Sequence, residues 1–138
     1  MLNVGIVLFN EVELLDFAGP FEVFSAASEL YQHQLFHVFT LSEKRTVITA
    51  VNSIQIIPHY SFQHHPTIDI LIIPGGVGTL REMENPAFLR WIEKNSPAAQ
   101  IVFSVCSGAR ILGKLGMLDH LEATTHHEVI PHLREIAP

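Results

Sequence analysis

The chain has 138 residues, a length that suits one domain over residues 1–138 and leaves little room for two. Hydrophobic residues make up 48% and charged residues 16%, which excludes a disordered chain because enough apolar surface is available to bury. The net charge is -6 and the basic residues are scattered, which excludes a nucleic-acid-binding face of clustered cations.

The cysteine content and the first residues bear on the compartment. A single cysteine cannot form an internal disulfide, so the sequence does not predict a secreted disulfide scaffold. The start of the chain lacks the basic residues of a signal peptide, and no apolar run is long enough to span a membrane. We therefore expect a cytoplasmic protein with no membrane partner. The low charged fraction further suggests that a partner covers some apolar surface.

The first half of the chain predicts strands around one helix. Residues 4–9 and 35–41 are short apolar runs typical of buried strands. Between them, Pro20 is placed in the first turn of a helix. Residues 46–50 and 54–57 are expected to pair as a hairpin across a three-residue turn.

The second half continues the alternation of strands and helices. Buried strands are predicted at residues 68–73 and 101–105, helices from Pro86, after Cys106 and at residues 128–136, and a short β-like segment at 123–125. This order predicts an α/β fold, a three-layer sandwich with a mainly parallel sheet of flavodoxin type. Functional sites of such sheets gather where the strands end.

Cys106 is the sharpest functional signal. It follows a strand directly and precedes Ser107-Gly108 and a helix, so its side chain is expected to stand clear of the backbone. The partial positive charge of the helix N-terminus favours the thiolate. The alternative is a small buried apolar residue, the commonest fate of a free cysteine.

Two further groups are candidates for the same site. Gly75 and Gly76 follow a strand, and their amides, with that of Ser107, are expected to donate to a developing anion; an ordinary turn is the alternative. Asp16 lies in an apolar stretch and suits a general acid or base, with a helix cap as the alternative.

The histidines and the tryptophan receive more modest roles. His126 is a candidate base or orienter for the cysteine, whereas His127 is expected to be exposed at a helix start. No zinc-ligand spacing is present, so no metal is expected. The side chains read as structural are three surface histidines and one core anchor: His59, His64, His65 and Trp91.

Four segments together resemble the ThiJ/PfpI superfamily, with its class I glutamine amidotransferase-like fold. They are Val4-Gly-Ile-Val-Leu-Phe9, Leu14-Leu-Asp-Phe-Ala-Gly-Pro20, Asp69-Ile-Leu-Ile-Ile-Pro-Gly-Gly76 and the turn around Cys106. The Leu-Leu-Asp-Phe-Ala-Gly-Pro segment and Ala123-Thr-Thr-His126 resemble the branch of isonitrile hydratases and sensor domains of AraC-type regulators. Protease activity is disfavoured, because Ser107 stands where the protease-like branch has a histidine.

The resemblance implies roles for these residues. Cys106 is the nucleophile, Asp16 shuttles protons, and the Gly75, Gly76 and Ser107 amides hold the developing anion. The implied reaction adds water to an isonitrile and releases an N-substituted formamide, without a metal or organic cofactor. The resemblance also implies a homodimer, and a family fold that continues past the region of His132, so the chain is expected to be short at its C-terminus.

Two other functions fit the same residues. The domain is a non-catalytic ligand sensor of an AraC-type regulator if the pocket holds a small molecule without turnover. It is a redox or carbonyl-stress response protein if Cys106 oxidises to a sulfinate.

Overall fold

A five-stranded parallel sheet forms the centre of the molecule, and the computed structural model describes all residues 1–138. The strands are β1 Leu2–Val7, β2 Phe36–Ser42, β3 Ile48–Thr49, β4 Gln55–Ile56, β5 Tyr60–Ser61, β6 Ile70–Ile73 and β7 Ile101–Ser104. Their order across the sheet is β5-β2-β1-β6-β7, while β3 and β4 form a separate antiparallel pair.

Five helices accompany the sheet. They are α1 Leu14–Leu30, α2 Thr79–Glu82, α3 Pro86–Asn95, α4 Ala109–Lys114 and α5 Ile130–Ile136. Short 3-10 turns precede α4 and α5, at Cys106–Gly108 and His127–Val129. The alternation confirms the predicted α/β fold with a parallel sheet. None of these helices is long and apolar enough to cross a bilayer.

The strands are apolar because helices cover the sheet. All four residues of β6 are buried, as are the last four of β1. Both lie at the middle of the sheet, where parallel strands are screened from water on both faces. One contiguous cluster of 22 buried hydrophobic residues fills the space between the sheet and the helices.

The strand order reverses beside β1, and this reversal positions the site. The chain moves from β1 to β2 in one direction across the sheet and from β6 to β7 in the other. Right-handed crossovers therefore place α1 and α3 on opposite faces. Such a reversal leaves a crevice at the carboxyl ends of the two central strands, where ligands of doubly wound sheets bind.

Helix α1 begins earlier than the sequence indicated. Pro20 was expected in its first turn, but α1 starts six residues before it, at Leu14. Phe17 is buried in the core, and this packing favours the earlier start. Consequently Asp16 lies in the first turn of α1 rather than in the loop before it. The helix predicted from Pro86 begins at that residue, and Asn85 caps it by accepting the Ala87 amide.

Residues 123–125 are not a strand, contrary to expectation. Their backbone pairs with no strand of either sheet. The hydroxyl of Thr125 instead donates to the carbonyl oxygen of Cys106 at 2.8 Å. The sequence also gave no sign of two short elements, β5 and α2, which have two and four residues.

The tryptophan and one histidine form a packed pair. Trp91 is buried, which confirms it as a core anchor, and its indole N–H donates to the carbonyl of Phe62 at 3.1 Å. His59 and His64 are exposed as expected. His65 is partly buried instead, because its ring packs edge-on against Trp91 at 5.3 Å between centroids.

Candidate active site

Three strand ends bring the candidate residues together. Asp16 follows β1, Gly75 and Gly76 follow β6, and Cys106 follows β7. The three strands are neighbours in register, with Val4 beside Ile70 and Ile70 beside Ile101. Their carboxyl ends therefore meet at one edge of the sheet, and residues far apart in sequence meet there.

Cys106 occupies a strained turn. Its φ is 55°, a left-handed conformation that costs a non-glycine residue about 1–2 kcal/mol. The turn is held at both ends: the Val105 amide donates to the Ile73 carbonyl at 2.9 Å, and Thr125 bonds to the Cys106 carbonyl. The side chain remains partly exposed, so the fully buried alternative for this cysteine does not apply. Strain of this kind gathers at functional sites.

Asp16 faces both the cysteine and the glycine turn. Its Oδ2 accepts the Gly75 amide at 3.1 Å. Its negative charge is close enough to the Cys106 thiol to raise the pKa of that thiol. The alternative of a helix cap does not apply, because Glu13 is the N-cap residue and the Asp16 side chain reaches a different loop. The carboxylate is therefore oriented by backbone from the neighbouring strand.

The glycine turn requires both of its glycines. A Cβ on Gly75 would lie 2.6 Å from the Ser107 nitrogen and 2.8 Å from Asp16 Oδ2, too close for any side chain. Gly76 has a φ of 120°, which favours glycine. The Gly76 amide donates to Ser107 Oγ at 2.9 Å. Both glycine amides therefore already donate to side chains. Their donation to a developing anion stays a prediction, and it requires each amide to give up its present hydrogen bond.

The surroundings of Cys106 raise its pKa and favour the thiol, whereas the sequence predicted a favoured thiolate. Burial raises the pKa of Cys106, and the negative charge and hydrogen bond of Asp16 raise it further. The Ser107 amide and hydroxyl lower the pKa but are outweighed. The helix that follows has only six residues, so its dipole is a weak counterweight.

We expect Cys106 to react slowly with iodoacetamide at neutral pH and faster as the pH rises, because only the thiolate is a strong nucleophile. Removing the Asp16 charge in Asp16→Asn lowers the thiol pKa and moves the alkylation profile toward lower pH. Mass spectrometry of quenched samples across pH measures both profiles. Glu22→Gln, at an exposed position of α1, is the control and leaves the profile unchanged. A profile of Asp16→Asn that coincides with the wild type would contradict this assignment.

His126 is placed at the start of the turn before α5. Its Nδ1 accepts the Glu128 amide at 3.3 Å, and its ring lies 4.3 Å from that of the exposed His127. The structure shows no hydrogen bond between His126 and the cysteine, so its role as an orienter stays a prediction. No group of three His, Cys, Asp or Glu side chains is close enough together to hold a metal ion.

Two neighbours of Cys106 were missed by sequence reasoning. Thr125 fixes the cysteine backbone, and Arg110 lies within range of the charge on the sulfur. Arg110 follows Cys106 by four positions, a separation that keeps both residues at the N-terminal end of α4. That spacing was the available signal. The contact of Thr125 with Cys106 depends on the path of the loop between them, and no pattern in the sequence indicated it.

An apolar cavity of about 290 Å³ lies elsewhere, between the segment after α4 and helix α5. It is lined by residues that include Leu118, Leu121, Ile130 and Leu133. None of the candidate site residues lines it.

The fold and site define an α/β protein whose cysteine stands on a strand-to-helix turn beside a carboxylate. The chain belongs to the DJ-1/PfpI family, whose sequence profile matches residues 3–137. This confirms the resemblance drawn from the sequence.

The relatives include an enzyme and a regulator. The chain is 31% identical over 138 residues to isonitrile hydratase from Pseudomonas putida, covering 98% of this chain and 58% of that protein. It is 25% identical over 136 residues to the HTH-type transcriptional regulator GbdR from Pseudomonas aeruginosa, covering 99% of this chain and 37% of that protein.

The fold is shared with a solved structure of the family. The crystal structure of a ThiJ/PfpI family protein from Pseudomonas syringae superposes with a TM-score of 0.86 at 24% identity. The match covers 97% of this chain and 54% of that chain. The chain therefore spans between about a third and three-fifths of the length of these three proteins.

Proposed function

We propose that the chain is a cysteine-dependent hydratase that converts small isonitriles to N-substituted formamides. The observation that carries the proposal is the partly exposed Cys106 thiol beside the charge of Asp16, whose carboxylate is itself held by the Gly75 amide. A nucleophile beside an oriented base is the arrangement that covalent catalysis needs. The similarity to isonitrile hydratase supports the substrate class.

Because the pKa of the Cys106 thiol is raised, the first step must remove the thiol proton as the sulfur attacks. Asp16 accepts the proton from Sγ as the sulfur attacks the terminal carbon of the isonitrile, and a carbon–sulfur bond forms. The same proton then passes from Asp16 to that carbon, which gives a thioimidate on Cys106. The protein thereby avoids a free thiolate in the resting state. The Cys106 thiol transfers its proton to Asp16 only when a substrate is bound.

Water completes the reaction. Asp16 takes a proton from the attacking water, the oxygen adds to the thioimidate carbon, and the nitrogen receives the proton. The carbon–sulfur bond then breaks as the hydroxyl proton returns through Asp16 to Sγ. The products are the N-substituted formamide and the original thiol, so one water is added in total. The Ser107 amide, which already faces the sulfur, stabilises negative charge that develops there.

The test is turnover of n-butyl isonitrile by the purified chain, with the formyl proton of N-butylformamide followed by NMR. We expect formamide to accumulate with the untreated protein and to stop after Cys106 is alkylated with iodoacetamide. Protein that is mock-treated without iodoacetamide is the control. Equal rates with untreated and alkylated protein, or no formamide at all, would overturn the hydratase.

A ligand-sensing domain is the second candidate. The similarity to the regulator GbdR covers 99% of the present chain but only 37% of GbdR. Saturable binding of a small molecule at the cysteine without turnover supports this candidate. A ligand-sensing domain produces no formamide in the isonitrile assay, whereas a hydratase does. The two candidates therefore predict opposite results.

We also propose that the chain forms a homodimer. Helix α1 exposes large apolar side chains, among them Leu15, Val23 and Leu30, which are 75%, 68% and 83% exposed. Apolar side chains in such number on one helix are typical of surfaces that a partner covers. This agrees with the low charged fraction of the sequence.

A further inference from the structure

Arg110 lies in the first turn of α4, at the end of that helix that adjoins Cys106. It follows Cys106 by four positions, and the 3-10 turn of Cys106–Gly108 runs directly into α4. Long helical side chains lean toward the N-terminus of their helix. Nη1 of Arg110 donates to the hydroxyl of Thr79, which in turn donates to the carbonyl of Gly76 in the glycine turn. The guanidinium of Arg110 therefore extends back along α4 toward the end that carries Cys106.

A histidine and a threonine hold the guanidinium in place. Its Nε donates to His132 Nδ1 at 3.0 Å, and Nη1 donates to Thr79 Oγ1 at 3.2 Å. These contacts come from α5 and α2, so the arginine is anchored from two sides. The structure shows no protein hydrogen bond from Nη2. One edge of the guanidinium is thus available to a ligand.

The charge of Arg110 has no carboxylate partner. The ion pairs of the chain involve Arg81, Lys114 and His127, and none includes Arg110. Its side chain is partly buried. Burial lowers the pKa of Arg110, and negative charge on Cys106 raises it in return. A desolvated cation of this kind gains free energy when an anion arrives.

The carboxylate opposite cannot serve as that anion. Asp16 forms no ion pair with Arg110, and its Oδ2 already accepts the Gly75 amide. The cysteine is therefore flanked by an occupied carboxylate from α1 and an unpaired guanidinium from α4. A guanidinium fork matches the geometry of a carboxylate and binds it more strongly than a neutral acceptor.

We propose that Arg110 binds the carboxylate of a small anionic substrate beside Cys106, so that the substrates are isonitriles bearing a carboxylate. The substrate class rests on the proposed hydratase function, whereas the anion site itself does not. Arg110 is then a specificity-determining residue, since it contacts a part of the substrate that takes no part in the bond changes.

Isocyanoacetate and its methyl ester provide a matched pair, because they share the reacting group and differ in charge. We expect kcat/KM to favour isocyanoacetate by about 10- to 100-fold, mainly through KM. Arg110→Gln removes the preference, whereas Arg110→Lys, which keeps the charge, retains part of it. Arg90→Gln, at an exposed position of α3, is the matched control and leaves the ratio unchanged.

Binding of the product separates this inference from the hydratase. N-formylglycinate is expected to bind more tightly than its methyl ester in calorimetry, and Arg110→Gln removes the difference. If neither isonitrile is hydrated but this preference is found, the hydratase is overturned and the anion site stands. If both isonitriles are hydrated equally well and Arg110→Gln changes neither rate, the anion site is overturned and the hydratase stands. No turnover and no Arg110-dependent binding overturn both.

Discussion

Cys106→Ala and Cys106→Gly both lose isonitrile hydration, and the glycine variant is the more stable of the two by about 1 kcal/mol. The loss of turnover follows because neither variant carries a nucleophile. We expect a fall of at least about 10³-fold, down to the uncatalysed rate. The gain in stability has a separate cause, which lies in the backbone.

The backbone at Cys106 has a φ of 55°, where a Cβ is crowded and glycine is not. Alanine retains the crowded Cβ, so the difference between the two variants isolates the backbone strain from the loss of sulfur. Glycine also makes the unfolded chain more flexible, which reduces the net gain. The candidate nucleophile therefore occupies a position at which glycine is expected to be more stable.

Urea unfolding of the two variants measures the difference in unfolding free energy, and the formamide assay measures the loss of turnover. Ser104→Ala and Ser104→Gly, two positions earlier at the end of β7, form the matched control pair. At Ser104 we expect the alanine variant to be the more stable of the two, because glycine in a strand is less favourable than alanine. A Cys106→Gly variant less stable than Cys106→Ala would contradict strain at this turn.

Gly75→Ala lowers the unfolding free energy by about 1–3 kcal/mol and turnover by about 100-fold. The new methyl group would lie 2.6 Å from the Ser107 nitrogen, 2.7 Å from Ser107 Oγ and 2.8 Å from Asp16 Oδ2. Ser107 and Asp16 are the two residues that shift the pKa of the Cys106 thiol, besides burial. The added atom must therefore displace the groups that set the reactivity of the thiol.

Gly19→Ala is the matched control, since a Cβ there meets no atom within 4 Å. Gly19 lies inside α1 and directly precedes Pro20, which offsets the helix propensity that alanine would add, so we expect a smaller change in stability than for Gly75→Ala and intact turnover. Thermal unfolding and the formamide assay on both variants test the pair. Wild-type turnover in Gly75→Ala would mean that the close packing of these three residues is not needed for the reaction.

The raised pKa of Cys106 also bears on the redox alternative. Oxidation to sulfenic and then sulfinic acid begins from the thiolate, and sensor cysteines are typically acidic and exposed. Here burial and the neighbouring carboxylate both favour the thiol. This environment disfavours a peroxide sensor and favours a nucleophile that is deprotonated only during the reaction.

The sequence determined the main strands of the sheet and pointed to Cys106 as the candidate nucleophile. Short apolar runs indicated the parallel strands β1, β2, β6 and β7, because central parallel strands are buried on both faces and read as continuous hydrophobic segments. Pro86 marked the start of α3 correctly. The lone cysteine directly after a buried strand pointed to one end of the sheet as the site.

The tertiary structure alone decided the state and surroundings of that cysteine. Local reasoning expected a thiolate from the helix N-terminus, whereas the thiol pKa is raised by burial and by Asp16, which lies 90 positions earlier in the chain. The commitment of Gly75 to Asp16 and the unpaired charge of Arg110 likewise depend on which loops the fold brings together. Short-range patterns record backbone preference and burial, while charge and proton affinity depend on neighbours that only folding supplies.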